Sequence, residues 1–502
     1  MSGPHTLDRR EPVEQGEVSG LVDRLESIKS PRILVLGDII LDRYLWGQVD
    51  RISPEAPIQV FHVTREDYRL GGAGNVANNL KSLGAEVRLA GLCGEDSGGE
   101  LLRNKVAELD LSIEGILVDP DRPTIVKSRH LAQNQQILRV DRERLGPASE
   151  KVGKTFVQML SGFKPDCLIL SDYGKGVCTV DILRTMIIQA REMDIPVLVD
   201  PKTTDYGRYA GATTITPNRN EFEKASGRDA SDPDSLRAGA LELIRMARLD
   251  GLVITLGSEG ICLVRSDGRM AEIPTRARSV YDVTGAGDTV IAVLGYALGG
   301  GLSLEDGVHL ANAGAGVVVG HVGATTVTAG EIREALLLPD RPEGGKLRTR
   351  EEIGPLVEAL RAAGKHIVMT NGCFDLLHAG HVEYLAYARS LGSLLIVGVN
   401  SDNSVRRMNK GTGRPIVPLE DRMRVLAAME AVDLVVPFEE DTPQALVEEV
   451  LPDTLVKGED WREKGVVGRD LVEARGGRVV LAPLRPGVSS STIIERIRKR
   501  EP

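Results

Sequence analysis

An aspartate follows a run of small residues where the sequence predicts the start of a helix. Residues 285–287 read Gly-Ala-Gly, Asp288 comes next, and the apolar run 290–298 predicts the helix itself. Backbone N–H groups at a helix start bind anions, because they are unpaired and lie at the positive end of the helix dipole. Asp288 could take a proton from an attacking hydroxyl while these amides hold phosphoryl oxygens. The segment indicates phosphoryl transfer; a glycine turn in which Asp288 only favours the helix start is the alternative.

Two further segments of the first half suit a nucleotide and a hydroxyl-rich substrate. Residues 71–79 form a second glycine tract that enters a predicted helix and carries three asparagines. This tract is not a Walker loop, because no Gly-Lys-Ser/Thr follows it. Asn218 and Glu221 stand three residues apart after the predicted strand 213–215, a pair that suits Mg²⁺ carried by nucleotide phosphates. A structural turn and an ordinary helix cap are the alternatives for the two segments.

Two histidines in the second half suggest a different reaction. Residues 369–381 run from a predicted strand through a turn into a helix, so that His378 and His381 share one helix face near its N-terminus. Two imidazoles and the helix amides could bind a triphosphate and stabilise charge as pyrophosphate leaves. A metal pair and a solvated helix end are the competing interpretations.

The elements that must position these residues alternate between strand and helix. Short apolar runs, each followed by a helical pattern, recur from residue 31 to residue 338. Such alternation predicts βαβ units and a mostly parallel sheet. The clearest predicted strands are 33–36, 167–170, 197–199 and 252–254.

The alternation stops at a stretch that predicts a boundary between two domains. Residues 339–346 contain two prolines and two glycines, which indicates a linker at 339–348. Thr349 and Glu352 then predict a capping box, and a second strand-helix alternation begins at 367. We therefore expect an N-terminal extension (1–30), a large α/β domain (31–338), the linker (339–348) and a smaller α/β domain (349–502).

Composition limits the partners and the compartment. The 72 acidic residues outnumber the 62 basic ones, which disfavours binding to nucleic acid or to an anionic membrane. The five cysteines include no CxxC pair, so neither a disulfide framework, nor zinc, nor a redox cofactor is expected. No apolar run approaches the roughly 20 residues that span a bilayer, and residues 1–30 lack the apolar core of a secretion signal. We expect a cytoplasmic protein without nucleic-acid or membrane partners.

The order of segments in residues 31–338 resembles the ribokinase family of sugar kinases. The matching segments are Gly-Asp at 37–38, the tracts 71–75, 218–221 and 255–260, and Gly-Ala-Gly-Asp at 285–288. The resemblance implies a ribokinase-like α/β fold, with Asp288 as the catalytic base and Gly285, Ala286 and Gly287 as its anion hole. It implies ATP contacts, with Mg²⁺ on the Glu221 side, at Asn218, Arg219, Asn220, Glu221, Gly257, Gly260 and Asn312. It places the sugar at Asp38, Gly71, Gly72 and Asn75.

The His-Ala-Gly-His pattern at 378–381 resembles the cytidylyltransferase-like superfamily, which joins a nucleoside triphosphate to a phosphorylated small molecule. The resemblance implies a Rossmann-like α/β fold, with His378, His381 and Lys457 as the catalytic residues. It implies triphosphate contacts at Asn371, Gly372, Phe374, Lys410, Arg414, Ser489, Ser490, Ser491 and Thr492.

Taken together, the two halves resemble the bifunctional heptose kinase/adenylyltransferases that make ADP-heptose for bacterial lipopolysaccharide. Supporting runs are 37–44, 51–57, 134–136, 171–176, 280–285 and 439–443. The resemblance implies ATP and heptose phosphates as substrates, Mg²⁺ with ATP, and a homodimer. Two departures are the long start at 1–30 and Gly-Glu-Asp-Trp at 458–461, where Gly-Gly-Asp-Tyr is more usual.

The remote phosphate of such a sugar needs a cationic partner, because charge-assisted hydrogen bonds hold a dianion most economically. Arg129, Arg139 and Lys202 are the candidates, and solvated surface charge is the alternative for each. Two other functions stay open for the whole chain. One is a different sugar-phosphate kinase fused to a cytidylyl- or glycerol-phosphate transferase, and the other is a nucleotide-binding regulator. The regulator is disfavoured by the presence of every catalytic residue that the two families imply.

Overall fold

The computed structural model describes residues 15–132, 135–275, 285–320, 325–337, 346–362, 364–408 and 413–483. The chain divides into two compact units, residues 1–336 and 337–502. In the described ranges, every helix is too short or too polar to cross a bilayer.

A sheet of nine described strands forms the centre of the first unit, and a second sheet of four lies beside it. The strands of this unit are β1 (Arg32–Gly37), β2 (Ile39–Ile52), β3 (Gln59–Gly72), β4 (Glu86–Gly94), β5 (Ile116–Asp119), β6 (Val126–Ala132), β7 (Gln135–Arg142), β8 (Cys167–Ser171), β9 (Val197–Asp200), β10 (Thr214–Ile215), β11 (Gly251–Thr255), β12 (Ile261–Arg265) and β13 (Met270–Ile273). The order of the large sheet is β13-β12-β11-β10-β9-β8-β1-β4-β5, and its strands are parallel except for the pairs β11-β12 and β12-β13.

Helices cover the large sheet, which explains why its central strands are continuously apolar. Strands β8 and β9 are buried along their whole length, as expected for a parallel sheet covered on both faces. The four strands predicted from apolar runs lie in β1, β8, β9 and β11, so the predicted α/β class is confirmed. The helices of the unit are α1 (Gln15–Ser27), α2 (Ala73–Leu83), α3 (Ser97–Glu108), α4 (Glu150–Phe163), α5 (Val180–Glu192), α6 (Arg219–Ser226), α7 (Pro233–Ala247), α8 (Ala286–Gly299), α9 (Leu304–Val318) and α10 (Ala329–Leu337).

The four-stranded sheet has the order β3-β2-β6-β7. One residue, Asp38, separates β1 from β2, and α2 starts directly after β3. The junctions at Asp38 and Gly72 are therefore neighbours, and the N–H of Ala73 donates to the carbonyl of Asp38. Strand β7 is exposed along its whole length and forms one edge of this sheet.

The N-terminal region contains a helix that packs within the first unit. Helix α1 and the residues after it bury the apolar side chains of Leu21, Val22, Leu25 and Ile28. Leu21 and Val22 each stand three or four residues before Leu25, which places the three on one face of α1. Part of the segment predicted as an extension (1–30) thus contributes to the core of this unit.

The second unit contains a parallel sheet of five described strands in the order β16-β15-β14-β17-β18. The strands are β14 (Ile367–Gly372), β15 (Leu394–Asn400), β16 (Leu434–Phe438), β17 (Thr454–Gly458) and β18 (Arg478–Ala482). The helices are α11 (Arg350–Ala362), α12 (Ala379–Arg389), α13 (Asp402–Arg407), α14 (Leu419–Ala427), α15 (Gln444–Val450) and α16 (Arg469–Ala474).

The end of the predicted linker belongs to this second sheet. The N–H of Val435 donates to the carbonyl of Lys346, and the N–H of Arg348 donates to the carbonyl of Val435. Residues 346–348 are thus hydrogen-bonded along β16, while 339–345 lie outside the described residues. The helix predicted after the linker is α11, which buries Ile353 and Val357.

Candidate active sites

In the first unit, acidic residues gather where three parallel strands end. Asp38 follows β1, Asp172 follows β8, and Asp200 is the last residue of β9. All three are buried. The carboxyl ends of neighbouring parallel strands are the usual location of a ligand site in an open α/β sheet.

Asp288 lies at this edge, in the first turn of α8, and is buried. Its Oδ2 accepts a hydrogen bond from Nδ2 of Asn75 at 2.6 Å, and its Oδ1 accepts one from the hydroxyl of Tyr173 at 2.7 Å. Burial raises the pKa of Asp288, while the bonds from Asn75 and Tyr173 and the charge of Lys202 act in the opposite direction. Each oxygen of the carboxylate thus accepts one hydrogen bond. The residue lies in the first turn of a helix, as the sequence predicted.

The amides in front of Asp288 start a helix of 14 residues. Gly285 is the N-cap with a φ of 83°, and Gly287 is exposed, with no atom of the described residues within 4 Å of the place of a Cβ. Thr289 fastens the turn, since its hydroxyl lies 3.2 Å from both Asn79 Oδ1 and the carbonyl of Gly285. A helix start of this kind can bind an anion, and the predicted anion hole stays a prediction.

The glycine tract that was predicted to hold the sugar lies against β2. A side chain at Gly71 would place its Cβ 2.3 Å from Oδ2 of Asp42, and one at Gly72 would lie 2.4 Å from the carbonyl of Asp38. Gly72 also has a φ of 57°, which side chains rarely adopt. The two glycines let the chain pass close to Asp42, whose Oδ1 lies 2.5 Å from Nη1 of Arg129.

Asp38, predicted to bind the sugar, has its carboxylate engaged by the backbone. Its Oδ2 accepts the N–H groups of Tyr173 at 3.0 Å and Lys175 at 2.9 Å, and its Oδ1 accepts that of Val177 at 3.1 Å. Burial raises the pKa of Asp38, and the bonds from Lys175 and Val177 oppose that rise. The geometry suits an anchor for the segment after β8 better than a direct sugar contact.

Asn218 and Glu221 form a complete capping box at the start of α6, which was the alternative to a magnesium role. Glu221 also accepts a hydrogen bond from Nζ of Lys202 at 2.8 Å, and the same Nζ lies 3.6 Å from Oδ1 of Asp200. Burial raises the pKa of Asp200 to about 7, although Lys202 opposes that rise. A lysine flanked by two carboxylates thus lies close to Asp288.

The remaining residues predicted to contact the nucleotide lie around the turn between β11 and β12. Arg219 pairs with Glu259 at 2.7 Å, within the 3₁₀ turn that starts at Gly257. Gly260 has a φ of 103°, and Asn312 donates to the carbonyl of Pro274 at 2.7 Å. Asn220 is exposed.

The three phosphate candidates have different environments. The side chain of Arg129 is 17% exposed and pairs with Asp42, while that of Arg139 is 54% exposed and pairs with Asp141. Lys202 lies with Asp200 and Glu221, and its Nζ is 5.1 Å from the centre of the Tyr173 ring. Only Arg129 and Lys202 have contacts to the residues around Asp288.

In the second unit, the two predicted histidines stack. His378 is the N-cap of α12, and its ring lies 3.9 Å from that of His381, centre to centre, at an angle of 27°. Burial lowers the pKa of His378; burial and the neighbouring His378 lower that of His381 to about 4. Neither Nδ1 atom, although buried, has a hydrogen-bond partner among the described residues. The pair can therefore donate to or accept from a ligand.

Asn371 and Lys457 lie near the ends of the neighbouring strands β14 and β17. Nζ of Lys457 donates to the carbonyl of Asn371 at 2.9 Å and lies 4.9 Å from the centre of the Trp461 ring. Oδ1 of Asn371 is buried and has no partner in the part of the chain that the structure describes. Lys457 is 5% exposed, so its charge is directed into the unit at the strand ends.

Arg414 is bound to a buried carboxylate, and its predicted contact with the triphosphate stays a prediction. Its Nε lies 2.8 Å from Oδ2 of Asp375, and Oδ1 of Asp375 accepts the N–H groups of Ile416 and Val417 at 2.7 and 3.0 Å. Their side chains are 10% and 0% exposed. Arg414 thus anchors the loop before α14. Gly372 and Phe374 lie near the histidines, with the Phe374 ring 5.4 Å from that of His381.

Arg422, which the sequence did not mark, joins three loops at this edge. Its buried guanidinium donates to the carbonyls of Cys373, Asn400 and Val417, and it pairs with Asp402 at 2.6 Å. It thereby fixes the loops that follow β14 and β15.

The predicted triphosphate contacts Lys410, Ser489, Ser490, Ser491 and Thr492 lie outside the described residues.

Comparison with known proteins gives one family to each half and one to the whole chain. The pfkB family of carbohydrate kinases matches residues 30–329, and the cytidylyltransferase-like family matches residues 369–496. The bifunctional protein HldE of Syntrophotalea carbinolica is 48% identical over 95% of this chain and 97% of its own length. The chain belongs to the HldE family. The HldE of Geobacter sulfurreducens is 49% identical over 93% of this chain and 95% of its own length. The resemblance inferred from the motifs is confirmed, and the chain is a carbohydrate kinase joined to a nucleotidyltransferase.

Solved structures match the fold of the first unit. Arabidopsis thaliana ribokinase, complexed with ribose and ATP, superposes with a TM-score of 0.51 at 17% identity, over 61% of this chain and 99% of its own. Escherichia coli phosphofructokinase-2 gives 0.52 at 19% identity, over 61% and 98%. These similarities confirm the ribokinase-like fold.

Besides Arg422, four residues at the two sites were not marked by the sequence analysis. Asp42, Tyr173 and Asp200 lie close to Asp288, and Asp375 anchors the loop beside the histidines. Tyr173 and Asp375 come shortly after β8 and β14, and Asp200 ends β9, so the rule that parallel strand ends share one edge could have found these three. Asp42 lies inside β2 and not at a strand end, so this rule could not have found it.

Proposed function

We propose that this chain catalyses two steps of ADP-heptose synthesis. The first unit phosphorylates the anomeric hydroxyl of D-glycero-β-D-manno-heptose 7-phosphate with ATP. The second unit joins heptose 1-phosphate to the α-phosphate of ATP and releases pyrophosphate. The observation that carries the proposal is that Asp288 and the His378-His381 pair, each at a helix start, lie in a chain that matches bifunctional HldE proteins over nearly its whole length.

The kinase reaction needs a base and a cradle for the transferring phosphoryl group. Asp288 takes the proton of the anomeric hydroxyl as that oxygen attacks the γ-phosphorus. The N–H groups at residues 285–287 hold the phosphoryl oxygens at the positive end of α8. Burial raises the pKa of Asp288, which makes it a better proton acceptor than a solvated aspartate.

Mg²⁺ is proposed to enter with ATP, on the side of Asp200 and Glu221. Two carboxylates at this edge suit a hard cation, because Mg²⁺ prefers oxygen ligands. Both carboxylates are paired with Lys202, so a shell made largely of phosphate oxygens and water fits the site better than direct coordination by these two side chains. Bound there, the ion would neutralise charge on the β- and γ-phosphates.

The transfer reaction needs only positioning and charge stabilisation. His378 and His381 face a triphosphate at the start of α12, and Lys457 brings a fixed positive charge from β17. These groups stabilise the charge that grows on pyrophosphate as the sugar phosphate attacks the α-phosphorus. No covalent intermediate with the protein is required.

A homodimer is proposed, with the four-stranded sheet as the contact. Leu138 and Val140 share one face of the edge strand β7 and are 54% and 47% exposed. Exposed apolar residues on an edge strand favour pairing with another chain. Light scattering should give twice the chain mass for the wild type and a monomer for Leu138→Lys. A wild-type monomer would contradict the proposal.

The experiment that tests the proposed reactions is incubation of the full chain with heptose 7-phosphate, or with heptose 1-phosphate, and each nucleoside triphosphate in turn. Mass spectrometry should detect the 1,7-bisphosphate in the first case and ADP-heptose with ATP in the second. Faster formation of CDP-heptose than of ADP-heptose would contradict the assignment of the second unit and favour a cytidylyltransferase.

A further inference from the structure

Tyr173 contacts the proposed catalytic base directly. Its hydroxyl donates to Oδ1 of Asp288 at 2.7 Å, while Asn75 donates to Oδ2 at 2.6 Å. Burial, followed by the charge of Asp288, raises the pKa of Tyr173 well above its usual range. The hydroxyl therefore stays protonated and remains a donor to the carboxylate.

The segment that carries Tyr173 is held by two buried carboxylates. Asp38 accepts the N–H groups of Tyr173, Lys175 and Val177. Asp172 accepts the N–H of Gly174 at 2.9 Å and the hydroxyl of Tyr209 at 2.8 Å. Four of the six backbone amides in residues 172–177 are thus fixed by carboxylates.

The same segment also contacts the residues around the four-stranded sheet. Lys175 pairs with Glu143, one residue after β7, at 2.7 Å. On the ring side, Nζ of Lys127, from β6, lies 5.8 Å from the centre of the Tyr173 ring. The position of the Tyr173 hydroxyl is therefore determined by both sheets of the first unit.

We propose that Tyr173 is a positioning residue for the kinase reaction, which fixes the rotation of the Asp288 carboxylate and stabilises its charged form. Each carboxylate oxygen has two lone pairs, so the donors Tyr173 and Asn75 leave one on each oxygen. With rotation about the Cβ–Cγ bond blocked, a free lone pair keeps its direction toward the incoming hydroxyl. Near-attack alignment of this kind accounts for large rate factors.

Other charged groups also face Asp288 and contribute to its pKa, so they affect any pH profile of the kinase reaction. Asp42, from β2, raises the pKa of Asp288, and Lys202, from the segment after β9, lowers it. Asp200 interacts with Asp288 across the same edge. Tyr173→Phe leaves these three groups in place, so that a change in the pH profile reports the lost hydroxyl.

The inference rests on the proposed kinase function, and the experiment separates the two. Kinase kcat and KM are measured between pH 5 and 9 for the full-length wild type, Tyr173→Phe and a control, Tyr296→Phe. Tyr296 is a buried tyrosine in α8, about 12 Å along the helix from Asp288 by its rise per residue. Transferase activity of the same samples reports the amount of intact chain.

Tyr173→Phe is expected to lower kcat by about 10- to 100-fold, with both KM values changed less than about 3-fold. The acid limb of kcat/KM should move to higher pH by about one pH unit, because a hydrogen bond to the charged carboxylate is lost. Tyr296→Phe should leave the limb in place.

The proposal would be overturned if Tyr173→Phe left the acid limb of the kcat/KM profile unchanged and kcat within about 2-fold of the wild type. Tyr173 would then only fill space beside Asp288. Lower kcat with an unchanged limb and a lower melting temperature would overturn it as well, since that is the effect of a loosened segment. Turnover of heptose 7-phosphate by the wild type decides the proposed function, whereas the difference between variant and wild type decides this inference.

Discussion

His378 and His381 stack at the start of α12, with ring centres 3.9 Å apart and both buried Nδ1 atoms without a partner among the described residues. Burial, followed by the charge repulsion that His378 would exert, lowers the pKa of His381 to about 4. Without a ligand, the pair is thus neutral at pH 7. A bound triphosphate supplies the opposite charge that favours protonation.

ATP binding at the second unit is therefore expected to take up protons below about pH 7, because the anion raises the pKa of both histidines. Calorimetry at pH 6 in two buffers of different ionisation enthalpy measures this uptake. His381→Gln should reduce the uptake by up to about one proton, and His366→Gln is the matched control, since His366 bonds Thr454 at the other end of β14. Equal uptake in all three proteins would contradict a role of the pair in triphosphate binding.

The Asp375-Arg414 pair should contribute strongly to the stability of the second unit. Asp375 is fully buried, so Asp375→Asn leaves the charge of Arg414 without its partner and should cost about 2–4 kcal/mol. Hydrogen bonds and Arg414 hold the pKa of Asp375 below its usual value against the effect of burial. The stabilisation is therefore present above the pKa of an unfolded aspartate, about 3.9, and is lost as pH falls through the lower pKa of the folded state.

Urea unfolding in a Trp46→Phe background measures this effect, because Trp461 is then the single tryptophan of the chain. The unfolding midpoint of Asp375→Asn should be lower at pH 7, and the difference from the wild type should shrink toward pH 3. Glu463→Gln, on an exposed side chain of the same unit, is the control. A midpoint equal to that of the control would show that the pair is not stabilising.

Asp38→Asn distinguishes an anchor from a sugar contact. Three backbone amides occupy the Asp38 carboxylate, so the substitution should loosen residues 173–177 and lower kinase kcat by about 10- to 100-fold. The KM for the sugar phosphate should stay within about 3-fold. A KM raised more than 10-fold with kcat preserved would restore the direct sugar contact that the family resemblance implied.

We predict that Arg129, among the three candidates, binds the remote phosphate of the sugar. Arg129→Ala should raise the KM for heptose 7-phosphate by about 10-fold or more, the usual effect of losing a hydrogen bond to a charged group, and leave the KM for ATP within about 2-fold. Unphosphorylated heptose should be phosphorylated equally well by variant and wild type. Arg139→Ala, on the exposed side chain paired with Asp141, is the control. Equal effects on both sugars would mean that Arg129 supports Asp42 and does not bind the phosphate.

Residue patterns predicted the features of the fold and of the sites that depend on residues close together in the sequence. The small residues before Asp288 predicted an open helix start, and the spacing of His378 and His381 predicted a shared face. Apolar runs predicted the central strands, because both faces of a parallel sheet are covered.

Long-range partners could not be predicted from the pattern. The carboxylate of Asp38 accepts hydrogen bonds from amides about 135 residues further along the chain. Arg414 pairs with Asp375, which lies 39 residues earlier. Both sets of contacts are visible only in the folded chain. Glu221 had two open interpretations, a cap and a magnesium partner, because the same residues at the same spacing serve both. The cap is present, and the magnesium role stays a prediction.

The central claim, two independent active sites in one chain, is tested most directly by assaying both reactions in Asp288→Asn and His381→Ala. Each reaction is supplied with its own substrate, heptose 7-phosphate or heptose 1-phosphate. Asp288→Asn should lower kinase turnover by about 10²- to 10⁴-fold through loss of the base and leave adenylyl transfer within about 2-fold. His381→Ala should lower adenylyl transfer by about 10²- to 10³-fold and leave the kinase within about 2-fold. Loss of both reactions from either substitution in a folded protein would contradict the account.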